Sequence, residues 1–146
     1  MTPGDSLQQG PFFVDTNVFL RYFTNDVPDQ AAAVERLFLR AAAGDLQLVT
    51  NTMVLAELVW VLESYYRLSR PRVVEHVVAV ASMDGLVMPE SDIVVDALFA
   101  YADSNVDFVD AYNACWMKSR GLDHVATFDV KHYSRFEGLQ MHSWAH

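Results

Sequence analysis

Four carboxylates, Asp15, Glu57, Asp110 and Asp129, stand where α/β proteins bring ligand-handling groups. Asp15 follows the apolar run Phe12-Phe13-Val14, and Asp129 follows Val125 to Phe128; Asp15-Thr16-Asn17 also reads simply as the cap of the helix that begins near Val18. Neither run alternates, so each reads as a strand covered on both faces within a parallel sheet. Glu57 lies near the start of the helix after the second strand, and Asp110 near the start of the helix before the fourth. In a doubly wound sheet all these places fall on the carboxyl-end edge, so the acids are expected to converge. Two carboxylates about 4 Å apart repel by roughly 4 kcal/mol at an effective dielectric near 20. That is a large share of the roughly 5 to 15 kcal/mol that holds a domain together. Such a cluster needs protonation, a basic partner or a divalent cation. Oxygen donors, one cysteine and no well-placed histidine favour a hard ion, Mg2+ or Mn2+, over zinc. An ion of that kind polarises a phosphoryl oxygen and lowers the pKa of its water, so the expected reaction is phosphodiester hydrolysis by metal-activated water.

The elements that would carry these acids are readable from periodicity and punctuation. A short helix, Val18 to Phe23, breaks at Thr24-Asn25-Asp26; Pro28 restarts the chain into a helix over Gln30 to Ala43, which Gly44 stops. Leu46 to Thr50 is a strand, and Asn51 or Thr52 caps a long helix over Met53 to Leu68, with Val54, Leu58, Val61, Leu62 and Tyr65 on its packed face. Ser69-Arg70-Pro71 opens another helix to about Met83, followed by a strand at Leu86 to Met88. Ser91 caps a helix to about Asp103, and Asp107 one to about Arg120. His124 to Phe128 and Leu139 to His142 are the last strands, the latter at an edge. Strands separated by helices predict an α/β fold, with a mostly parallel central sheet of four to five strands and helices on both faces.

The chain has 146 residues, the size of one domain. Residues 1–10 read as a flexible extension and 11–146 as a single domain. A net charge of −9 argues against a broadly basic protein that holds nucleic acid through counterion release. A hydrophobic fraction of 52% suggests an apolar surface left for a partner. Cys115, the only cysteine, excludes an internal disulfide and reads as a small core residue in a reducing compartment. The first ten residues lack the basic and apolar regions of a secretion signal, and no apolar run spans a bilayer, so no membrane partner is expected and a soluble cytoplasmic protein is.

Four motifs carry a family likeness. Phe13-Val14-Asp15-Thr16-Asn17-Val18, Ala56-Glu57-Leu58, Asp107-Phe108-Val109-Asp110-Ala111 and Thr127-Phe128-Asp129-Val130-Lys131 together resemble the PIN-domain ribonucleases, especially the VapC toxins of bacterial toxin-antitoxin pairs. The likeness runs from Phe12 to His142, in the family's order and approximate spacing. It implies a three-layer PIN-like fold and an endoribonuclease that uses Mg2+ or Mn2+, with Asp15, Glu57, Asp110 and Asp129 as the acidic site. Asn17 and Thr127 match polar positions that support such a site. A VapB-type antitoxin and a homodimer are the implied partners, and RNA is the implied substrate.

Other residues carry weaker expectations. Asp107, three residues before Asp110, is either a further metal ligand or the helix N-cap. Lys131, two residues past Asp129, is a candidate RNA contact, and Arg135 follows it. Arg67, Arg70 and Arg72 bracket a helix junction and read as solvated. His76, His124 and His132 read as structural or surface groups, with no metal role for His142 or His146 near the terminus. Trp60, Tyr65 and Tyr66 read as core or interface rather than as a base-stacking platform. Glu57 and Asp110 are both open as the group that orients water or takes its proton. Two other readings compete: an aspartyl-phosphate phosphatase acting through Asp15, although Asn17 stands where those enzymes carry a second Asp, and a non-catalytic acidic cleft that docks an Arg-rich partner.

Overall fold

A computed structural model describes residues 9–144. Most of the expected N-terminal extension, residues 1–8, lies outside them, as does His146. The chain divides into two compact units, one ending at Ser91 and the other beginning at Asp92. No helix among the described residues is long and apolar enough to cross a membrane.

The first unit runs β1 (Gln9–Phe13), α1 (Thr16–Thr24), α2 (Pro28–Ala42), β2 (Leu46–Val49), α3 (Thr52–Ser64), α4 (Arg70–Ala81) and β3 (Leu86–Val87). Its strands form a parallel sheet in the order β1-β2-β3, with Phe13 opposite Val49 and Val49 opposite Val87. The strand covered most fully is the central one: Leu46 and Leu48 of β2 are buried. β1 is an edge strand of this sheet, and Phe12 and Phe13 are 47% and 57% exposed, which corrects the expectation of a strand buried on both faces. Val14, just past its end, is buried, and its carbonyl accepts the buried Thr50 hydroxyl at 3.0 Å. That bond ties the carboxyl ends of β1 and β2 together.

Helices α1 and α2 meet through aromatic contacts: Phe38 lies 5.8 Å from Phe19 and 5.0 Å from Tyr22 between ring centroids. Asn51 caps α3, its side chain accepting from the Val54 amide at 3.0 Å. Val54, Leu58 and Leu62 are buried, as the helical spacing requires. The helix ends earlier than its apolar pattern suggests. Arg67 takes a left-handed φ of 55°, and the Leu68 amide turns back to the Leu62 carbonyl at 3.0 Å, a closure that stops the helix before Tyr65. Tyr65 is therefore 75% exposed, and Trp60, on the opposite side of α3 from Leu62, is 67% exposed, so neither belongs to the core.

The second unit continues with α5 (Ser91–Ser104), α6 (Phe108–Ser119), β4 (His124–Ala126), α7 (Val130–Tyr133) and β5 (Gln140–His142). β4 and β5 form a parallel pair, with Val125 opposite Met141. The fold is α/β with parallel strands, as expected, but the five strands among the described residues are divided three and two between two sheets. β4 is shorter than its apolar run: Phe128 is 82% exposed, because the chain leaves the strand at Thr127 to enter α7. The short α7 has no counterpart in the periodicity.

Candidate active site

In the first unit the sheet's carboxyl edge carries two of the expected acids. Asp15 lies two residues past the end of β1 and is the N-cap of α1, its Oδ1 accepting from the Thr16 amide at 2.8 Å. The capping and site readings thus coincide at one exposed carboxylate, which keeps Oδ2 for another partner. Beside it, the Thr16 hydroxyl is buried and has no hydrogen-bond partner among the described residues. Asn17 is exposed in the first turn of α1. Glu57 is exposed on α3, between Met53 and Trp60 on the same helical face. A third carboxylate, not anticipated, follows β3: Glu90 adopts a φ of 62°, and its Oε2 accepts from the Thr52 hydroxyl at 3.4 Å.

In the second unit Asp110, Asp129 and His132 come together. Their ligand-capable atoms all lie within 4.8 Å of one another. Asp110 sits in the first turn of α6, and Asp129 is the N-cap of α7, with His132 one turn further on. His132 Nδ1 is 2.8 Å from Asp129 Oδ2 and 3.4 Å from Asp110 Oδ2. Asp129 Oδ1 accepts from the His132 amide at 3.3 Å, so one oxygen starts the helix and the other faces the cluster. Thr127 holds the turn: its hydroxyl accepts from the Asp129 amide at 2.9 Å, while its own amide donates to the His142 carbonyl of β5 at 2.9 Å. Behind Asp110, the buried Tyr133 hydroxyl donates to its carboxylate and accepts from Asn113 Nδ2 at 3.2 Å.

The two aspartates are pushed in opposite directions. Burial, then the charge of Asp129, raises the Asp110 carboxyl above the usual carboxylate value, more than the nearby His132 lowers it. The hydrogen bond from His132 holds Asp129 below that value. Asp107 takes the N-cap position of α6 without a side-chain capping bond, adds to the negative field on Asp110, and stands outside the three-residue cluster.

The donors fit a divalent cation: two carboxylate oxygens and one imidazole nitrogen on a part-exposed face. The oxygen-only expectation did not include the imidazole that stands with the carboxylates. His132, which reads as a structural or surface group in the sequence, lies against both aspartates, and the spacing Asp129-x-x-His132 on one helical turn is the signal that places it there. His76 and His124 do fit the structural reading. His76 stands edge-on to Phe23 at 4.8 Å, and His124 Nδ1 pairs with His142 Nε2 at 2.9 Å across β4 and β5.

Lys131 is exposed and lowers the Asp129 carboxyl, whereas Arg135 is committed to the Ser104 and Asn105 carbonyls. A depression of about 810 Å3 in this unit, bordered by Cys115, Lys118, Leu122, Phe136 and Leu139, contains none of the clustered groups. Burial pushes the Cys115 thiol up, which makes it a poor nucleophile.

No curated protein matches the chain. The family model of the PIN domain matches residues 12–138, nearly the whole length and all of the motifs above. The match takes in parallel strands of both units and the aspartate just past β1, and the chain belongs to the PIN domain family, whose members are generally metal-dependent nucleases.

Proposed function

We propose that the chain is an endoribonuclease dependent on Mg2+ or Mn2+, with Asp15, Glu57, Asp110 and Asp129 as its catalytic carboxylates. The observation that carries this reading is the meeting of Asp110, Asp129 and His132, whose ligand-capable atoms lie within 4.8 Å of one another. Asp110 and Asp129 would hold the ion, and a divalent ion bound there supplies charge to polarise a phosphodiester and to ease deprotonation of water. The chain's own contribution is positioning. The Tyr133 hydroxyl fixes the Asp110 carboxylate, Thr127 fixes the turn that presents Asp129, and Lys131 stands next to that turn to contact a phosphate. Purified protein freed of partners is expected to cleave single-stranded RNA with Mg2+ or Mn2+ and to stop on addition of EDTA. Cleavage that continues in EDTA would sink the metal-dependent reading. RNA binding without cleavage under any divalent ion would favour a non-catalytic cleft.

We further propose that the nuclease is a VapC-type toxin, dimeric and paired with a VapB-type antitoxin. What supports a helical partner is the apolar surface on two helices of the first unit: Leu39 of α2 is 62% exposed, and Met53 and Trp60 of α3 are 77% and 67% exposed. Met53 and Trp60 flank the exposed Glu57 on α3, so a partner seated on that face would shield it. Co-expression with the adjacent small reading frame is expected to yield a stable, inactive complex. A chain that purifies alone from that co-expression, fully active, would contradict the toxin assignment.

A further inference from the structure

We propose that His132 is a direct nitrogen ligand in this site and that it biases the site toward Mn2+ over Mg2+. The inference rests on the reading of Asp110 and Asp129 as ion-holding groups and adds a donor and a selectivity to it.

The argument is geometric. Octahedral ions with ligand arms of about 2.1 Å place neighbouring donors about 3.0 Å apart. His132 Nδ1 lies 2.8 Å from Asp129 Oδ2 and 3.4 Å from Asp110 Oδ2, values on either side of that edge length. Two edges of one face of a coordination octahedron thus already stand near their spacing, and the two aspartates offer oxygens within 4.8 Å of each other to close the third. The orientation is held by the backbone: Asp129 Oδ1 is engaged by the His132 amide at 3.3 Å, which leaves Oδ2 beside the ring on the same turn.

Selectivity follows from the donor type. Mg2+ is a hard ion that sheds water reluctantly and favours oxygen, whereas Mn2+ accepts imidazole nitrogen more readily. Replacing one oxygen donor by nitrogen thus costs Mg2+ affinity and spares Mn2+.

The test uses the full-length protein stripped of ions, with Mn2+ alone and Mg2+ alone as probes, and reads no cleavage. Pulsed electron paramagnetic resonance of the bound Mn2+ is expected to show coupling to a directly ligated 14N nucleus. That coupling should vanish in His132→Ala and in His132→Gln, the second of which keeps an amide to bond both carboxylates and so to preserve the fold. Calorimetric titration should show Mn2+ affinity falling roughly 10- to 100-fold in both variants, with a clearly smaller loss for Mg2+. Mn2+ bound without nitrogen coupling, coupling that persists in both variants, or equal losses for the two ions would overturn the assignment of His132 while leaving the ion site in place. Failure of the unsubstituted chain to bind either ion would overturn the site and the ligand together.

Discussion

Asp110→Asn is expected to reduce RNA cleavage by at least roughly a thousandfold and, in the ion-free protein, to raise the melting temperature at neutral pH by a few degrees. The loss of activity follows from removing a carboxylate that faces the cation site. The gain in stability follows from the direction in which Asp110 titrates. Its carboxyl is raised by burial first and by Asp129 second, so ionisation is less favourable in the folded chain than in the unfolded one. Below the ordinary carboxylate value both states are protonated and the group makes no difference. As pH rises from that value through the raised folded one, the folded state loses stability, and at neutral pH the whole penalty is present. Asparagine removes it and can still accept from Tyr133. Asp129 runs the opposite way: its depressed pKa contributes stability above the ordinary value, which is lost as pH falls through the folded one. Asp129→Asn should therefore abolish cleavage and lower the melting temperature. Thermal melts of both variants at pH 7, without and with Mn2+, check the pair. Retained cleavage in Asp110→Asn, or melting temperatures that move together, would defeat the account. At Asp110 the charge opposes folding until a ligand arrives, a recurrent form of the trade between activity and stability.

The second large effect concerns the fold. Gly85→Ala is expected to destabilise the protein by about 2–4 kcal/mol, read as a lower denaturant midpoint. Gly85 has a φ of 82°, a conformation that costs any residue with a β-carbon. The added methyl would also fall inside van der Waals contact with the Ala41 carbonyl in the last turn of α2. That carbonyl cannot easily retreat, since it accepts the Gly44 amide at 3.0 Å, and the Gly85 carbonyl is itself held by the Leu48 amide of β2 at 3.0 Å. Gly44→Ala separates the two causes. Gly44 has a similar φ of 84°, but a β-carbon there meets nothing within 4 Å, so only the conformational cost of about 1 kcal/mol remains. Equal effects at the two glycines would mean that the close approach of β3 to α2 is not tight.

Much of the second-unit site was legible before any coordinates. Asp129 announced itself as the residue after an apolar run, and Asp110 as an acid in the first turn of a helix that Asp107 opens. Asp15 was legible in the same way, and its two readings, cap and site residue, were not rivals once its oxygens were considered one at a time. The place of His132 beside Asp110 and Asp129 was not legible. A histidine three residues after an aspartate matters only if the intervening chain makes a helical turn, and the four residues of α7 are too few to show a period. The exposure of Phe12, Phe13 and Phe128 escaped for a related reason. Apolar runs report what a segment prefers to bury, while strand pairing determines how much of it is covered.

The amino-acid order settled the succession of strands and helices, the caps at Asp15 and Asn51, and the acids that end up beside strand ends. These are local properties, written in side chains within one or two turns of each other. The folded chain settled what depends on distance across it: the division of five strands into two sheets, the meeting of residue 110 with residues 129 and 132, and the oxygen each aspartate turns toward the imidazole. Contacts between residues twenty positions apart come from the packing of α6 on α7, and no local pattern encodes them.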